Sequence, residues 1–351
     1  MSRARNNSQG MYDQVQYLNG GQLAGFRNRL LNGDMRVAQR GASGTLSSTP
    51  SYLSVDRWQA VQYPTAAGIF SQVQIQQQGF LYAAKLGRTS GSTNTSYLYL
   101  VQALESLNSV SLAGQTVTLS FYAKAGANFS SSGNNVTVQL YTGTGFDQSA
   151  ASIGAWTGNA IPINTTQAIT TTLTRYSFTT TLAGTISQVA PFISYVPTGT
   201  AGADDNLYIT GIQLEVGSFA TPFEHRPFGT ELAMCQRYFY QAPVNASPCT
   251  GPVNGISITF DFPATMRAVP SLIHGLTDAA FNGGGPGTNQ WAIVNPGVAY
   301  ATKSAGTLTP SLTLTQSSGT ISFYGMTLSV VGAVTSTGLG TAQYAQFSAE
   351  L

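Results

Sequence analysis

From about residue 31 to 217, apolar and polar positions alternate with a period of two. Val117, Leu119, Phe121 and Ala123 alternate with Thr116, Thr118, Ser120 and Tyr122. Val136, Val138 and Leu140 alternate with Thr137, Gln139 and Tyr141. Tyr208, Thr210, Ile212, Leu214 and Val216 fall on one face of a late strand, and Tyr97, Tyr99 and Val101 mark another. The links are Gly/Ser/Thr/Asn clusters such as 126–135 and 198–206. Many short alternating strands joined by turn-forming clusters predict an antiparallel sandwich. At 228–241 the period changes. Phe228, Leu232, Cys235 and Phe239 form one apolar stripe on a short helix, with Thr230 as its N-cap and Glu231 in its first turn. Such a helix is too short to stand alone. It packs on a domain or on copies of itself, and the pattern leaves both open. Residues 242–351 return to alternation (Ile256, Ile258, Phe260, Phe262) around a glycine-rich loop tip at 283–287, which predicts a second, smaller β-sandwich. Residues 1–30 are Asn/Gln/Gly-rich, with Leu23, Phe26 and Leu30 at helical spacing. They read as an extended arm, too polar to fold by itself, that anchors on a neighbouring subunit. The expected fold is therefore all-β: an N-terminal arm, a sandwich over 31–227, a linker helix and a second sandwich.

Composition sharpens this picture. Only 8% of the 351 residues are charged, against about 25% in an average soluble protein. The hydrophobic fraction of 42% excludes a disordered chain. The surface is built from Ser, Thr, Asn, Gln and Gly, and a surface with so little charge associates readily, as in a subunit of an assembly. The net charge of +2 comes without a basic run, so neither nucleic acid nor an anionic membrane is an expected partner. No apolar stretch reaches the ~20 residues of a membrane span. The first ten residues have no apolar core behind their arginines, so no signal peptide is expected, and synthesis is expected in a cytoplasm. Cys235 and Cys249 are too few for a disulfide framework and read as free thiols.

Candidate chemistry is sparse. Glycan hydrolysis needs two carboxylates roughly 5–10 Å apart. Asp34, Asp56, Asp204, Asp205, Glu215 and Glu224 show no spacing that singles out a pair, so they read as framework ion pairs and caps, and no enzyme is expected. Trp58 reads as core, with Asp56 paired to Arg57 or to a backbone amide. Asp204 and Asp205 are weak candidates for a structural calcium site, against the alternative of an Asx turn. His225 has no second ligand at metal spacing, so no cofactor is expected. Aromatic residues in polar loops are the candidates for binding a neutral glycan: Trp291 beside Asn289, Tyr300, and Trp156. Packing or a subunit contact is the competing reading for each.

Four blocks together resemble a family of phage tail-fibre proteins. They are Leu30–Gly41 (LLNGDMRVAQRG), Val55–Trp58 (VDRW), Ile212–Pro227 (IQLEVGSFATPFEHRP) continuing into Leu232–Phe239 (LAMCQRYF), and Phe262–Pro270 (FPATMRAVP), followed by a terminal Glu350-Leu351. The resemblance implies a jelly roll like those of carbohydrate-binding domains, then a hinge and a distal β-domain. It also implies virion membership and a homotrimer. The helix stripe Phe228, Leu232, Cys235 and Phe239 is then expected to organise the copies. The arm lies outside the resemblance, and from its composition Leu23, Phe26 and Leu30 are expected to anchor it on a tail or baseplate protein. The expected function is a tail fibre or receptor-binding protein in the phage tail that contacts host surface polysaccharide. The alternatives are a connector, baseplate or decoration subunit that binds no glycan, or a polysaccharide depolymerase.

Overall fold

The computed structural model describes residues 26–243, 246–249, 255–268, 270–274, 290–293, 299–302, 320–326 and 344–350. The chain divides into two compact units, one ending at Pro227 and one spanning Phe228–Glu350.

The first unit is a jelly-roll sandwich of two six-stranded antiparallel sheets. The first sheet runs β1 (Ser43–Thr45), β4 (Gly68–Gln77), β5 (Phe80–Arg88), β12 (Asn206–Val216), β7 (Thr116–Ala125), β10 (Thr174–Thr181). The second runs β2 (Ser51–Tyr52), β3 (Gln59–Tyr63), β6 (Tyr97–Val101), β11 (Gln188–Tyr195), β8 (Asn135–Gly143), β9 (Ala160–Ala168). Between them lies the core. Leu98 and Leu100, Val136, Val138 and Leu140, Ile193 and Tyr195 point inward from the second sheet. Phe70, Leu86, Leu119, Phe121, Leu207 and Ile209 meet them from the first. Trp58 is fully buried at one end of this core, its Nε1–H donating to the Asn32 carbonyl (3.1 Å). Asp56 accepts from the Gln39 amide (3.0 Å) and pairs with Arg40 (3.6 Å), while Arg57 donates to the Ala103 carbonyl.

The helix expected from Leu23, Phe26 and Leu30 does not form over the described part of that stretch, and Leu23 lies outside the described residues. Residues 26–30 form no helix and lie alongside β12 instead. The Arg29 amide donates to the Leu214 carbonyl (2.9 Å), and the Asn28 side chain bridges the Ile212 carbonyl and the Leu214 amide. Leu30 is therefore fully buried in the sandwich core and unavailable as an anchor. Phe26 remains half-exposed beneath the Arg226 guanidinium, 4.6 Å from ring centroid to Cζ.

This entering segment is clasped to the leaving one. The Arg27 and Asn28 amides donate to the two oxygens of Glu224 (2.8 and 3.0 Å), and Arg226 donates to the Leu30 and Asn28 carbonyls. Glu215, almost wholly buried, pairs with Arg27 and accepts from the amide and hydroxyl of Thr221.

At the other end of the sandwich, the fully buried pair Arg88–Asp205 (2.6 Å) is a hub for the loops. Arg88 donates to the carbonyls of Asn94, Thr198 and Gly199 and to the Ser130 hydroxyl, and the Ser130 amide and hydroxyl complete the shell of Asp205. Asp204 accepts from the Ala127 amide, Asn206 and the Tyr208 hydroxyl. These contacts correct the reading of Asp204 and Asp205 as calcium ligands. The cation beside Asp205 is a guanidinium, and the remaining lone pairs are taken by amides and hydroxyls. Among the described residues no cluster of three His, Cys, Asp or Glu could hold a metal.

The second unit opens with helix α1 (Phe228–Gln236). It ends five residues earlier than the apolar stripe predicts. Phe239 belongs instead to β13 (Phe239–Pro243), paired through Ser348 with β20 (Tyr344–Ser348) and, beyond it, β16 (Ser271–His274). Strand pairing captures the chain there: the Ala349 amide donates to the Tyr238 carbonyl and the Arg267 amide to the Arg237 carbonyl. Thr230 lies inside the helix and is not its N-cap. Cys235 and Phe239 are buried within the unit and cannot pack copies of the chain together, whereas Phe228 is half-exposed and Leu232 partly so. A second antiparallel sheet runs β14 (Ala246–Cys249), β15 (Gly255–Asp261), β19 (Thr320–Met326), β17 (Gln290–Ile293), β18 (Ala299–Thr302).

Replacing Arg88 with Met strands Asp205 as a buried, unpaired charge, which costs about 3–5 kcal/mol. Thermal unfolding of the Arg88→Met protein will show a large drop in the jelly-roll Tm. A chelator added to the native protein will leave that Tm unchanged.

Candidate functional site

The two outer faces of the sandwich differ. The first sheet is partly covered by its own chain. After β12 the segment 217–225 folds back over it, with the Thr118 hydroxyl donating to the Gly217 carbonyl and Arg175 to the Thr221 carbonyl. The rings of Phe223 and His225 lie 5.1 and 5.4 Å from Phe80. Gly211, at φ +59°, sits beneath: a Cβ there would collide with Phe80 and Tyr122. This sheet also carries the charges Lys85, Arg88, Lys124, Arg175 and Glu215.

No strand of the second sheet contains an Asp, Glu, Lys or Arg. Its register lines up side chains on the outer face in rungs. Tyr63 stands opposite Tyr97. Val61, Tyr99, Ser194, Thr137 and Thr166 form the next rung, and Val101, Phe192, Gln139 and Asn164 the third. Tyr141 stands opposite Ala190. The aromatic rings touch in a file across β3, β6, β11 and β8. Centroid separations are 5.9 Å for Tyr63–Tyr97, 5.5 Å for Tyr97–Tyr99, 4.5 Å for Tyr99–Phe192 and 5.5 Å for Phe192–Tyr141. Contacts of this kind hold rings in fixed orientation. Tyr99 and Phe192 are 7% exposed and form the floor, Tyr97 and Tyr141 are half-buried, and Tyr63 is 51% exposed at the rim. Beside the file, the Gln139 amide donates to the Asn164 carbonyl oxygen (3.0 Å).

Burial lifts the phenol pKa values of Tyr97, Tyr99 and Tyr141. Tyr97 is pushed further by Tyr63 and Tyr141, and Tyr99 by Tyr97 and Tyr141. The phenols therefore lie within electrostatic reach of one another and stay neutral donors well into alkali. The face ends where the turn at Ala150–Ala155 and Trp156 pack against Val101, Ala103 and Ala190. Together these features make a shallow, hydroxyl-rimmed aromatic surface whose strands carry no charge, with the Arg40 and Arg57 guanidinium groups confined to its β2 edge, 5.2 and 6.0 Å from the Tyr52 ring centroid. It is suited to a polar ligand with apolar ring faces.

The candidates from sequence fare unevenly against this geometry. Trp156 is 3% exposed, its Nε1–H donating to the Ser149 carbonyl (2.9 Å). It props the end of the aromatic file and presents no ring to a ligand, which corrects its reading as a stacking platform. In the second unit, Trp291 on β17 pairs with Ala301 and Gly325, and Tyr300 on β18 pairs with Ala292, one register position away. Asn289 lies outside the described residues. Tyr63, Tyr97, Tyr141, Gln139 and Asn164 were not singled out for binding by the sequence pattern. The available signal was the strand Tyr97-Leu98-Tyr99-Leu100, which is aliphatic on one face and aromatic on the other. The carboxylates Asp34, Asp56, Asp205, Glu215 and Glu224 are all held in ion pairs, and none stands on the second sheet.

No protein-family model matches the sequence, and no curated protein matches it. Solved structures show a weak likeness. The enzymatically active domain of tailspike protein 4 of bacteriophage CBA120 is similar at 10% identity and TM-score 0.36, over 54% of this chain and 22% of its own. This chain thus spans about a fifth of that domain's length. The C-terminal family 22 carbohydrate-binding module of Clostridium thermocellum Xyn10B is similar at 13% identity and TM-score 0.32, over 52% of this chain and 98% of the module. A CBM61 structure in complex with β-1,4-galactotriose is similar at 12% identity and TM-score 0.33, over 55% of this chain and all (100%) of its own. At such values the likeness does not bear on function.

The tyrosines give a pH signature. Their folded pKa values lie above those of the unfolded chain, so their contribution to stability is complete below about pH 10 and is lost as the pH rises through the raised values. Phenolate absorbance will show a class of tyrosines titrating late, and Tyr97→Phe or Tyr141→Phe will remove one member each.

Proposed function

We propose that the first unit is a non-catalytic glycan-binding module whose ligand lies across the outer face of the second sheet. The observation that carries this is the aromatic file Tyr63–Tyr97–Tyr99–Phe192–Tyr141 on a sheet with no charged side chain. Sugar rings offer apolar C–H faces to aromatic rings and hydroxyls to Tyr, Gln and Asn. An uncharged face favours an uncharged polysaccharide, because burying an acidic sugar there would leave its charge without a partner. The floor residues are already packed, so little side-chain entropy is lost on binding. In the wider role, the protein is a phage virion component of the tail-fibre type that recognises host surface polysaccharide. That role is supported by the four sequence blocks of the tail-fibre resemblance, as is a trimeric assembly, in which several weak sites act together.

The test is binding of the full chain to a panel of neutral polysaccharides (xylan, galactan, mannan and dextran) and to one acidic polymer, polygalacturonate. Tyr97→Ala and Tyr141→Ala should each weaken the best neutral ligand by about tenfold, equivalent to about 1.4 kcal/mol. Ionic strength between about 0.05 and 0.5 M should leave the affinity unchanged, since no ion pair forms. Wild-type protein that ignores every neutral glycan would favour a connector or decoration role, and binding that survives both substitutions would overturn the placement of the site on the second sheet.

A further inference from the structure

The two ends of the described jelly-roll chain, residues 26 and 227, lie at one end of the sandwich. Residue 26 enters beside residues 224–226, held by Glu224 on the Arg27 and Asn28 amides and by Arg226 on the Asn28 and Leu30 carbonyls. The chain leaves at Pro227, the last residue of the unit. This is the end of the sandwich where β12 finishes and where Leu31 exchanges hydrogen bonds with Gln102, just past the finish of β6.

Beside the β9–β10 turn 169–173, the opposite end carries four loops, 64–67, 89–96, 126–134 and 196–205, which join β3 to β4, β5 to β6, β7 to β8 and β11 to β12. Three of them are tied to the Arg88–Asp205 pair. The fourth is tied to the second by Thr65–Ser96 and by Asn94 on the Thr65 carbonyl. Their exposed side chains are mostly Ser, Thr, Ala and Asn. Tyr63, the most exposed ring of the aromatic file, stands here, because β3 ends at it and β6 starts at its partner Tyr97. The file is closed at the other end by Trp156 and its turn.

From these placements we infer that the jelly roll is presented to its ligand end-on. The end carrying Tyr63 and the Arg88-braced loops meets an uncharged glycan displayed on a surface, while the end holding both chain connections faces away from it. The inference rests on the glycan-binding reading of the second sheet and adds the direction of approach. Arg88 is a positioning residue in this arrangement: it fixes the loops that rim the open end, so the rim is ordered before the ligand arrives.

The experiment places a bulky group at one end or the other of the full chain. Thr95, exposed in the loop 89–96, and Ser111, exposed at the end of the chain connections, are each changed to Cys in a Cys249→Ser background and coupled to a polyethylene glycol chain. Binding is read on immobilised neutral polysaccharide. The label at Thr95→Cys is expected to weaken capture by about tenfold or more, and the label at Ser111→Cys by less than about twofold. Equal loss from both labels, greater loss from the Ser111→Cys label, or no loss from either overturns end-on presentation. A failure of the glycan reading looks different: the unlabelled protein binds neither the immobilised polysaccharide nor its soluble oligosaccharides.

Discussion

The jelly roll depends on where its few charges are put. In a chain with 8% charged residues, the guanidinium of Arg88 is buried against Asp205, Arg226 lies between Glu224 and the backbone of residues 28–30, and Arg27 is drawn onto Glu215. Buried pairs of this kind cost desolvation and are weak stabilisers compared with a well-packed apolar alternative. Their use here is geometric. A guanidinium presents several donors in a fixed plane, so one Arg can tie loops from distant parts of the sequence to one point. Arg88 does this for loops built mostly of Ser, Thr, Asn, Ala and Gly, in which Phe129 is the large side chain packed into the core. Arg226 does it for a polar entering segment in which Leu30 is the buried apolar side chain.

The same economy explains the contrast between the sheets. The charges needed for these ties sit on or beside the first sheet, which the folded-back segment 217–225 also covers. The second sheet is left with an outer face of tyrosine, phenylalanine and small polar side chains. Its aromatic rings are supported from below by the strands and from one side by Trp156, so the surface is rigid without being sealed. Tyr63, at its open margin, is the most exposed ring of the file and meets Tyr97 edge-on.

Strand periodicity made the all-β architecture legible, because in a sandwich burial alone decides which alternate positions are apolar. Trp58 as core and the carboxylates as framework groups were legible for the same reason: isolated acids in a low-charge chain must find internal partners. Three features were not. Leu23, Phe26 and Leu30 carry helical spacing, yet the Ile212 and Leu214 peptides bond the Arg29 amide and the Asn28 side chain and hold this stretch against β12, a tertiary effect that local spacing does not contain. Phe239 continues the stripe of α1 numerically, but the pull of β20 ends the helix at Gln236. The aromatic face was hidden because Tyr97 and Tyr99 lie about forty residues from Tyr141 and almost a hundred from Phe192. Only the strand order β3–β6–β11–β8 makes them neighbours. Alternation shows that a strand has two faces but not which strands share one.

The clasp between the entering and leaving segments also has a mechanical meaning. Tension applied to the chain on either side of this unit acts between two points joined directly by Glu224, Arg226 and the backbone of residues 27–30. The load is carried by a few charge-assisted hydrogen bonds at one corner, and the hydrogen-bonded ladders of the two sheets lie outside its path. A pull strong enough to open that corner would let the chain lengthen by peeling β12 from its neighbours, beginning at Val216. Until then the aromatic face stays in its resting shape, whatever force the flanking chain transmits.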